Sequence, residues 1–353
     1  MSKRFVLSGY FGFKNFGDEA ILSVLVKKLK QDKHRLTIIS SDPKYTMKQY
    51  KHIRSVYTFK ILDIIGAISK SDVLISGGGS LLQDVTSIKS LVYYLFIIFL
   101  GLILHKKVII FAQGIGPINN PIGQLMTKTL LKHCTYVSVR DNKSFELLKS
   151  WGINADLLCD PIFSTEIPQT EKRDVVAVQL RDFRTMSEDF IDRLAQKIVL
   201  EFPNKPVEIY SFQDAIDLNI CKKLEKSIQL LNNNIKVTLY SGLTNDEIVE
   251  KLSQAKYLIA MRFHAIIVGL LSGVNILSIN YDIKVEKISK EFNLPMIDLK
   301  KDFKNQFELL KNEEPQNYMA KVRSKNFDWS GFEKAIDFMP KKFPSSPAET
   351  VPE

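Results

Sequence analysis

Cysteine is scarce. Cys134, Cys159 and Cys221 are the three in a chain of 353 residues. They are odd in number, far apart, and share no C-x-x-C or Cys/His spacing that would hold zinc. The chain therefore reads as having neither a disulfide framework nor a metal site, with its thiols reduced. Long apolar runs are also lacking: the most apolar stretch, residues 91–104, is shorter than the roughly 20 residues of a membrane-spanning helix. It reads as a helix buried against a sheet, with contact to a membrane surface as the alternative. The charged start Met1-Ser-Lys-Arg4 leads into an apolar run too short for a secretory signal, so a cytoplasmic location is expected. Clustered arginine is missing as well. The net charge of +10 is spread along the chain, so nucleic acid is not an expected partner, whereas small anions, sugar phosphates and the inner face of a membrane are.

What is present is alternation. Apolar runs of strand length alternate with helical runs through residues 1–165 and again through 173–328, with a polar, aperiodic linker leading up to residue 173. A chain of this size exceeds what one hydrophobic core supports, so two domains are expected. Each should be a parallel sheet with helices on both faces. The fold class is α/β, two Rossmann-like domains facing a cleft. Residues 329–353 read as an extension that ends in a Pro- and Ser-rich, disordered tail.

In open sheets of this kind, ligands sit beyond the carboxyl ends of the strands, where the next helix offers unpaired N–H groups. After the first strand come Gly9, Tyr10, Gly12, Asn15 and Gly17, then Asp18 and Glu19 in a first helical turn. The glycines let backbone approach a ligand, but their spacing matches neither G-x-G-x-x-G nor a P-loop, so dinucleotide and ATP are not indicated. Asp18 and Glu19 either complement the helix dipole or bind hydroxyls and carry protons. Gly77, Gly78 and Gly79 follow a later strand and cost chain entropy unless something needs the room. Ser80, Gln83 and Asp84 come next, the last two able to bond sugar hydroxyls. Gln113 and Gly114 end another strand, and Arg140 a further one, with Asp141 beside it as an ion-pair partner.

In the second half, an apolar strand from Tyr257 to Met261 reaches Arg262 and His264 before an apolar helix resumes. A guanidinium grips carboxylate or phosphate as a planar fork, and an imidazole titrates near neutrality, so the pair suits an anionic substrate undergoing proton transfer. The plainer alternative has His264 capping the helix and Arg262 paired with a surface carboxylate. Lys284, beyond the next strand, adds a point charge.

Side by side, Gly9-Tyr-Phe-Gly-Phe-Lys-Asn-Phe-Gly-Asp-Glu19, Ser76-Gly-Gly-Gly-Ser-Leu-Leu-Gln-Asp84, Gln113-Gly-Ile-Gly-Pro117, Ser138-Val-Arg-Asp141 and Met261-Arg-Phe-His264 occur in the order found in the polysaccharide pyruvyl transferase family. The chain resembles that family over about residues 5–290, and within it the bacterial cell-wall enzymes that modify N-acetylmannosamine. The resemblance implies a glycosyltransferase-B-like fold and transfer of pyruvate from phosphoenolpyruvate to two sugar hydroxyls, forming a cyclic ketal. The donor is a substrate, and no cofactor is implied. By motif, Arg140, His264 and Lys284 fall where the family places donor-binding and catalytic groups, and Arg181 and Gln213 are carried over from a less distinctive stretch. The glycine loops would hold a sugar or lipid-linked saccharide acceptor. A nucleotide-sugar-dependent glycosyltransferase is the alternative on the same architecture.

Overall fold

The structure, a computed structural model, describes residues 2–337 apart from 168–169, 184–185, 188, 300, 302 and 304. The first half runs β1 (Arg4–Ser8), α1 (Phe16–Gln31), β2 (Arg35–Ser40), α2 (Pro43–Gln49), β3 (Arg54–Tyr57), α3 (Ile61–Ser69), β4 (Val73–Gly77), α4 (Ile88–Ile103), β5 (Lys107–Gln113), α5 (Pro121–Leu131), β6 (Tyr136–Val139), α6 (Asn142–Ser150) and β7 (Asp156–Leu157). A 3-10 turn at Pro161–Ser164 leads to the second half: β8 (Arg173–Gln179), α7 (Phe190–Glu201), β9 (Val207–Tyr210), α8 (Asp214–Leu231), β10 (Val237–Tyr240), α9 (Asn245–Gln254), β11 (Ala255–Ala260), α10 (Phe263–Ser272), β12 (Asn275–Asn280), α11 (Ile283–Glu291), β13 (Met296–Asp298), α12 (Gln306–Asn312), α13 (Gln316–Arg323) and α14 (Ser330–Asp337).

The strands form two sheets, in the orders β3-β2-β1-β4-β5-β6-β7 and β10-β9-β8-β11-β12-β13. Every pairing is parallel. Continuous apolar strands such as Val73–Gly77, buried along their whole length, are what a sheet covered on both faces requires. In each sheet the order reverses beside the first strand of the half, so the crevice of each opens at the carboxyl ends of β1 and β8.

The halves are not independent. One apolar cluster joins Ile21, Leu22 and Leu25 of α1 to Ile248 and Leu252 of α9 and Ala265 and Ile266 of α10. The Phe16 and Phe212 rings meet at 4.4 Å, and the Phe16 N–H donates to the Phe212 carbonyl at 3.3 Å. The chain then crosses back: Phe332 of α14 packs edge-on against Phe111 of β5 at 5.2 Å, and Lys3 pairs with Asp337 at 2.8 Å. The extension read at 329–353 thus begins with a helix on the first sheet; its remainder, including the tail, lies outside the described residues.

Thr244 and Glu247 form both halves of a capping box at the start of α9. Between β2 and β3 the chain forms α2, begun by Asp42 accepting from the Tyr45 N–H with Pro43 at its first position.

Candidate active site

The first loop wraps the start of α1 tightly. Glu19, 2% exposed, accepts from the Gly12 N–H at 2.6 Å, and Gly12 has φ +80°, with the place of a Cβ 2.1 Å from the Ser40 hydroxyl. Only glycine fits there. Burial, chiefly, pushes the Glu19 carboxyl up to about 7, against the Gly12 and Lys14 N–H groups that favour its anion. Asn15 donates to Asp18 at 2.7 Å. Asp18 is buried, and burial raises its carboxyl above the usual range although His264, Arg140, Lys284 and Arg262 all pull it down. Those four side chains come from three places, the end of β6, the start of α10 and the start of α11, and Asp18 is the point on which they converge.

Gly17 is the contact between the halves. A Cβ there would stand 2.0 Å from Nδ1 of His264, so α1 approaches the start of α10 as closely as a bare helix allows. Gly79, φ +62°, likewise comes within reach of Asp18, whose Oδ1 is 2.5 Å from the place of its Cβ. Gly114 faces Ser80 in the same manner at 2.6 Å. The glycine loops of β1, β4 and β5 therefore line one side of a cleft, and the Lys284 ammonium reaches across from the other to donate to the Ser80 hydroxyl at 3.0 Å. Lys284 is exposed at the cleft, and desolvation by the protein around it, with Arg140 adding repulsion, lowers its pKa against Asp282, Asp141 and Asp18.

His264 sits on the first turn of α10. Its Nε2 is 3.6 Å from Asp160 Oδ2 and has no hydrogen-bond partner. Asp160 also pairs with Arg140 and accepts from the Ile162 N–H at 3.1 Å. Burial would raise the Asp160 carboxyl, but Arg140, then His264 and the Ile162 N–H, hold it well below the usual carboxylate range. Arg140 thus pairs not with its neighbour Asp141, whose Oδ1 instead caps α6 by accepting from the Ser144 N–H, but with an acid twenty positions on. Asp160 is not among the residues that the sequence pattern singles out. Its one signal in the sequence is its place just beyond a strand, and β7 is too short at two residues to show periodicity.

Arg262 is the N-cap of α10. Its backbone N–H donates to Gln179 at 2.7 Å, while Nε and Nη2 grip the buried Asp217 at 2.8 and 2.7 Å and Nη2 also reaches Gln213 at 3.3 Å. The fork is real, but its partner is a core carboxylate, not a surface one. Arg181 lies with its guanidinium 5.8 Å from the centre of the Tyr281 ring, and its buried Nε has no hydrogen-bond partner. Tyr10 reaches toward Gln213 and Arg181 from the first loop, its ring stacked on Phe13 at 4.0 Å.

The remaining sequence candidates serve the loops. Gln113 donates to Ser76 at 2.9 Å and leaves Oε1 buried and unpaired; it follows Ala112, whose φ of +44° marks a break in the β5–β6 register. Asp84 accepts from the backbone N–H groups of Asn119 and Asn120 at 2.8 and 2.7 Å, and Gln83 accepts from that of Thr86 at 3.1 Å. Gln83 braces its own loop, whereas Asp84 ties that loop to the one ahead of α5. Among the described residues no group of His, Cys, Asp and Glu is placed to hold a metal ion, and the three cysteines are unpaired thiols whose pKa values burial raises.

The charges do not cancel. Asp160 offsets Arg140 and Asp217 offsets Arg262, while Arg181 and Lys284 have no carboxylate at ion-pair distance among the described residues. The cleft therefore offers two uncompensated cations, a buried carboxyl shifted toward its protonated form, and a histidine held beside an ionised acid.

Solved structures share this architecture at low identity. The UDP-GlcNAc 2-epimerase from Methanocaldococcus jannaschii superposes with a TM-score of 0.62 at 11% identity, over 92% of this chain and 99% of that one. Anabaena HepE in complex with UDP-glucose gives 0.58 at 12%, over 95% and 98%. The Neisseria meningitidis UDP-GlcNAc 2-epimerase bound to UDP-GlcNAc gives 0.59 at 11%, over 94% and 97%. At such identities the likeness is one of fold, glycosyltransferase-B, and carries no substrate with it. A search of curated proteins returns no match. The model of the polysaccharide pyruvyl transferase family, by contrast, matches residues 15–283, which run from the α1 cap through the glycine loops, Asp160 and His264 to the start of α11. The chain belongs to the polysaccharide pyruvyl transferase family.

Proposed function

We propose that the protein transfers pyruvate from phosphoenolpyruvate to two hydroxyls of one sugar residue, N-acetylmannosamine in a cell-wall or surface polysaccharide precursor, releasing phosphate and leaving a cyclic ketal. The family supports pyruvyl transfer to a polysaccharide. The observation that carries the donor is the pair of uncompensated cations, Arg181 and Lys284, on the side of the cleft opposite the glycine loops. Phosphoenolpyruvate bears a carboxylate and a phosphate on three carbons, and a planar fork together with a compact ammonium suits those two anions.

The chemistry needs a proton on the methylene carbon, which leaves C2 cationic. One sugar hydroxyl adds to C2, phosphate departs, and the second hydroxyl closes the ring. Of the two hydroxyl protons lost, one restores the acid and the other leaves with the phosphate. Asp18 is the acid favoured by burial, since its carboxyl is shifted upward. His264, whose Nε2 lies 3.6 Å from the ionised Asp160, takes the hydroxyl proton. The loops at Gly78, Gly79 and Gly114, packed on Ile21, Asp18 and Ser80, border the side of the cleft that takes the acceptor. No step calls for a metal.

The test is phosphate release from phosphoenolpyruvate with and without an N-acetylmannosaminide acceptor, the intact protein beside His264→Ala. Acceptor-dependent release that the substitution abolishes, with a product heavier by one pyruvyl ketal, is expected. Binding and turnover of a nucleotide-diphosphate sugar, with no release from phosphoenolpyruvate, would overturn the proposal in favour of a glycosyltransferase.

A further inference from the structure

The outer face of α4 is apolar where a surface helix is ordinarily polar. Ile88, Val92, Phe99 and Ile103 are all exposed, with half-buried Phe96 between them. Their spacing places them along one stripe of the helix, while Leu91, Leu95 and Ile98 on the opposite side enter the core. The neighbouring helices continue the stripe. On α5, Ile122 is 68% exposed and Leu125 65%. Ahead of and on α3, Phe59 is 68% and Leu62 84% exposed. The three helices are contiguous: Leu91 of α4 lies against Gly123 of α5, and the Tyr93 hydroxyl donates to the Thr58 carbonyl at 3.0 Å. A patch of this breadth needs a partner.

Its charge names the partner. Helices α3, α4 and α5 carry one carboxylate between them, Asp63, which lies 4.0 Å from Lys60. Lys60, Lys89, Lys128 and Lys132 stand on or beside the patch. An apolar face fringed by lysine matches the acyl boundary and phosphate layer of an anionic bilayer, and among the described residues no helix is long and apolar enough to cross one. The exposed residues at Leu62, Val85 and Ile122 lie toward the starts of these helices, hence toward the carboxyl edge of the first sheet, where the Ser80 and Gly114 loops open.

We infer that the outer face of α3, α4 and α5 docks on an anionic membrane surface. The docking does not depend on the donor chemistry, so vesicle binding and phosphate release can fail separately. The experiment is co-sedimentation of the full chain with vesicles of phosphatidylcholine alone and of phosphatidylcholine mixed with phosphatidylglycerol. Two variants are compared, Val92→Glu/Phe99→Glu and Lys89→Glu/Lys128→Glu, each checked for an unchanged melting curve. The intact chain is expected to bind the mixed vesicles, and each variant to lose about tenfold or more in partitioning. Absence of binding by the intact chain, or binding that both variants retain, overturns the inference. So does a concentration-dependent dimer that Val92→Glu/Phe99→Glu dissolves without any vesicle binding, which would assign the face to a second copy of the chain.

Discussion

Asp160→Asn tests the buried charge arrangement directly. The substitution keeps the shape and the acceptor for the Ile162 N–H, but removes the negative charge between Arg140, whose side chain is 7% exposed, and His264. Breaking a buried pair costs about 3–5 kcal/mol, because the remaining charge has no solvent to turn to. With the Ile162 bond retained, the lower end, about 3 kcal/mol, is expected; for a urea slope near 3 kcal/mol/M it moves the unfolding midpoint by about 1 M. The pH dependence fixes the origin of the effect. Because Asp160 is held below its unfolded value of 3.8, its contribution is fully present above that value and is lost as pH falls through the folded pKa. The stability gap between the two proteins should therefore be constant from neutral pH down to about 5 and narrow below about 4. Urea unfolding of both proteins across that range is the assay. An Asp160→Asn protein as stable as the parent at pH 7 would refute the reasoning, and a gap that persists unchanged at the acid end would assign the loss to packing.

Other expectations concern the two sides of the cleft. Glu19→Gln should gain stability over the parent as pH rises from 4.5 through about 7, since a carboxyl with a raised folded pKa supports the fold only below that window; the gain at pH 8 is about 1–3 kcal/mol by urea unfolding, and a gap independent of pH would exclude Glu19 titration. Gly17→Ala puts a methyl group where Nδ1 of His264 now stands, so turnover should fall on the order of 100-fold although alanine favours the helix; the check is kcat beside the melting temperature, and unchanged kcat would dissolve the supposed closeness of α1 and α10. Arg181→Gln should raise the donor KM by roughly 30-fold, about 2 kcal/mol for an anion that loses its partner, whereas an unaltered KM for phosphoenolpyruvate would remove Arg181 from the donor site.

The sequence by itself determined the elements and the edge on which the site stands. Alternating apolar runs are local, so both parallel sheets and the glycine loops after β1, β4 and β5 could be read directly. It also named Asp18, Arg140, Arg262, His264 and Lys284, because residues just past a strand converge by the logic of the fold. What it could not determine was which charges cancel. In the sequence Arg140 has only its neighbour Asp141 as a partner and Arg262 only an unspecified surface carboxylate, yet the chain beyond β7 brings Asp160 to the first and α8 brings Asp217 to the second, leaving Lys284 and Arg181 without a carboxylate at ion-pair distance among the described residues. Nor could it show that α14 returns to β5, or that Gly17 clears the space His264 fills. These facts depend on strand ends and helices brought together across the sheet order and across two domains, and the energy of a charge is decided by its neighbours in space. Pattern along the chain locates a site; only the packed structure distributes its charge.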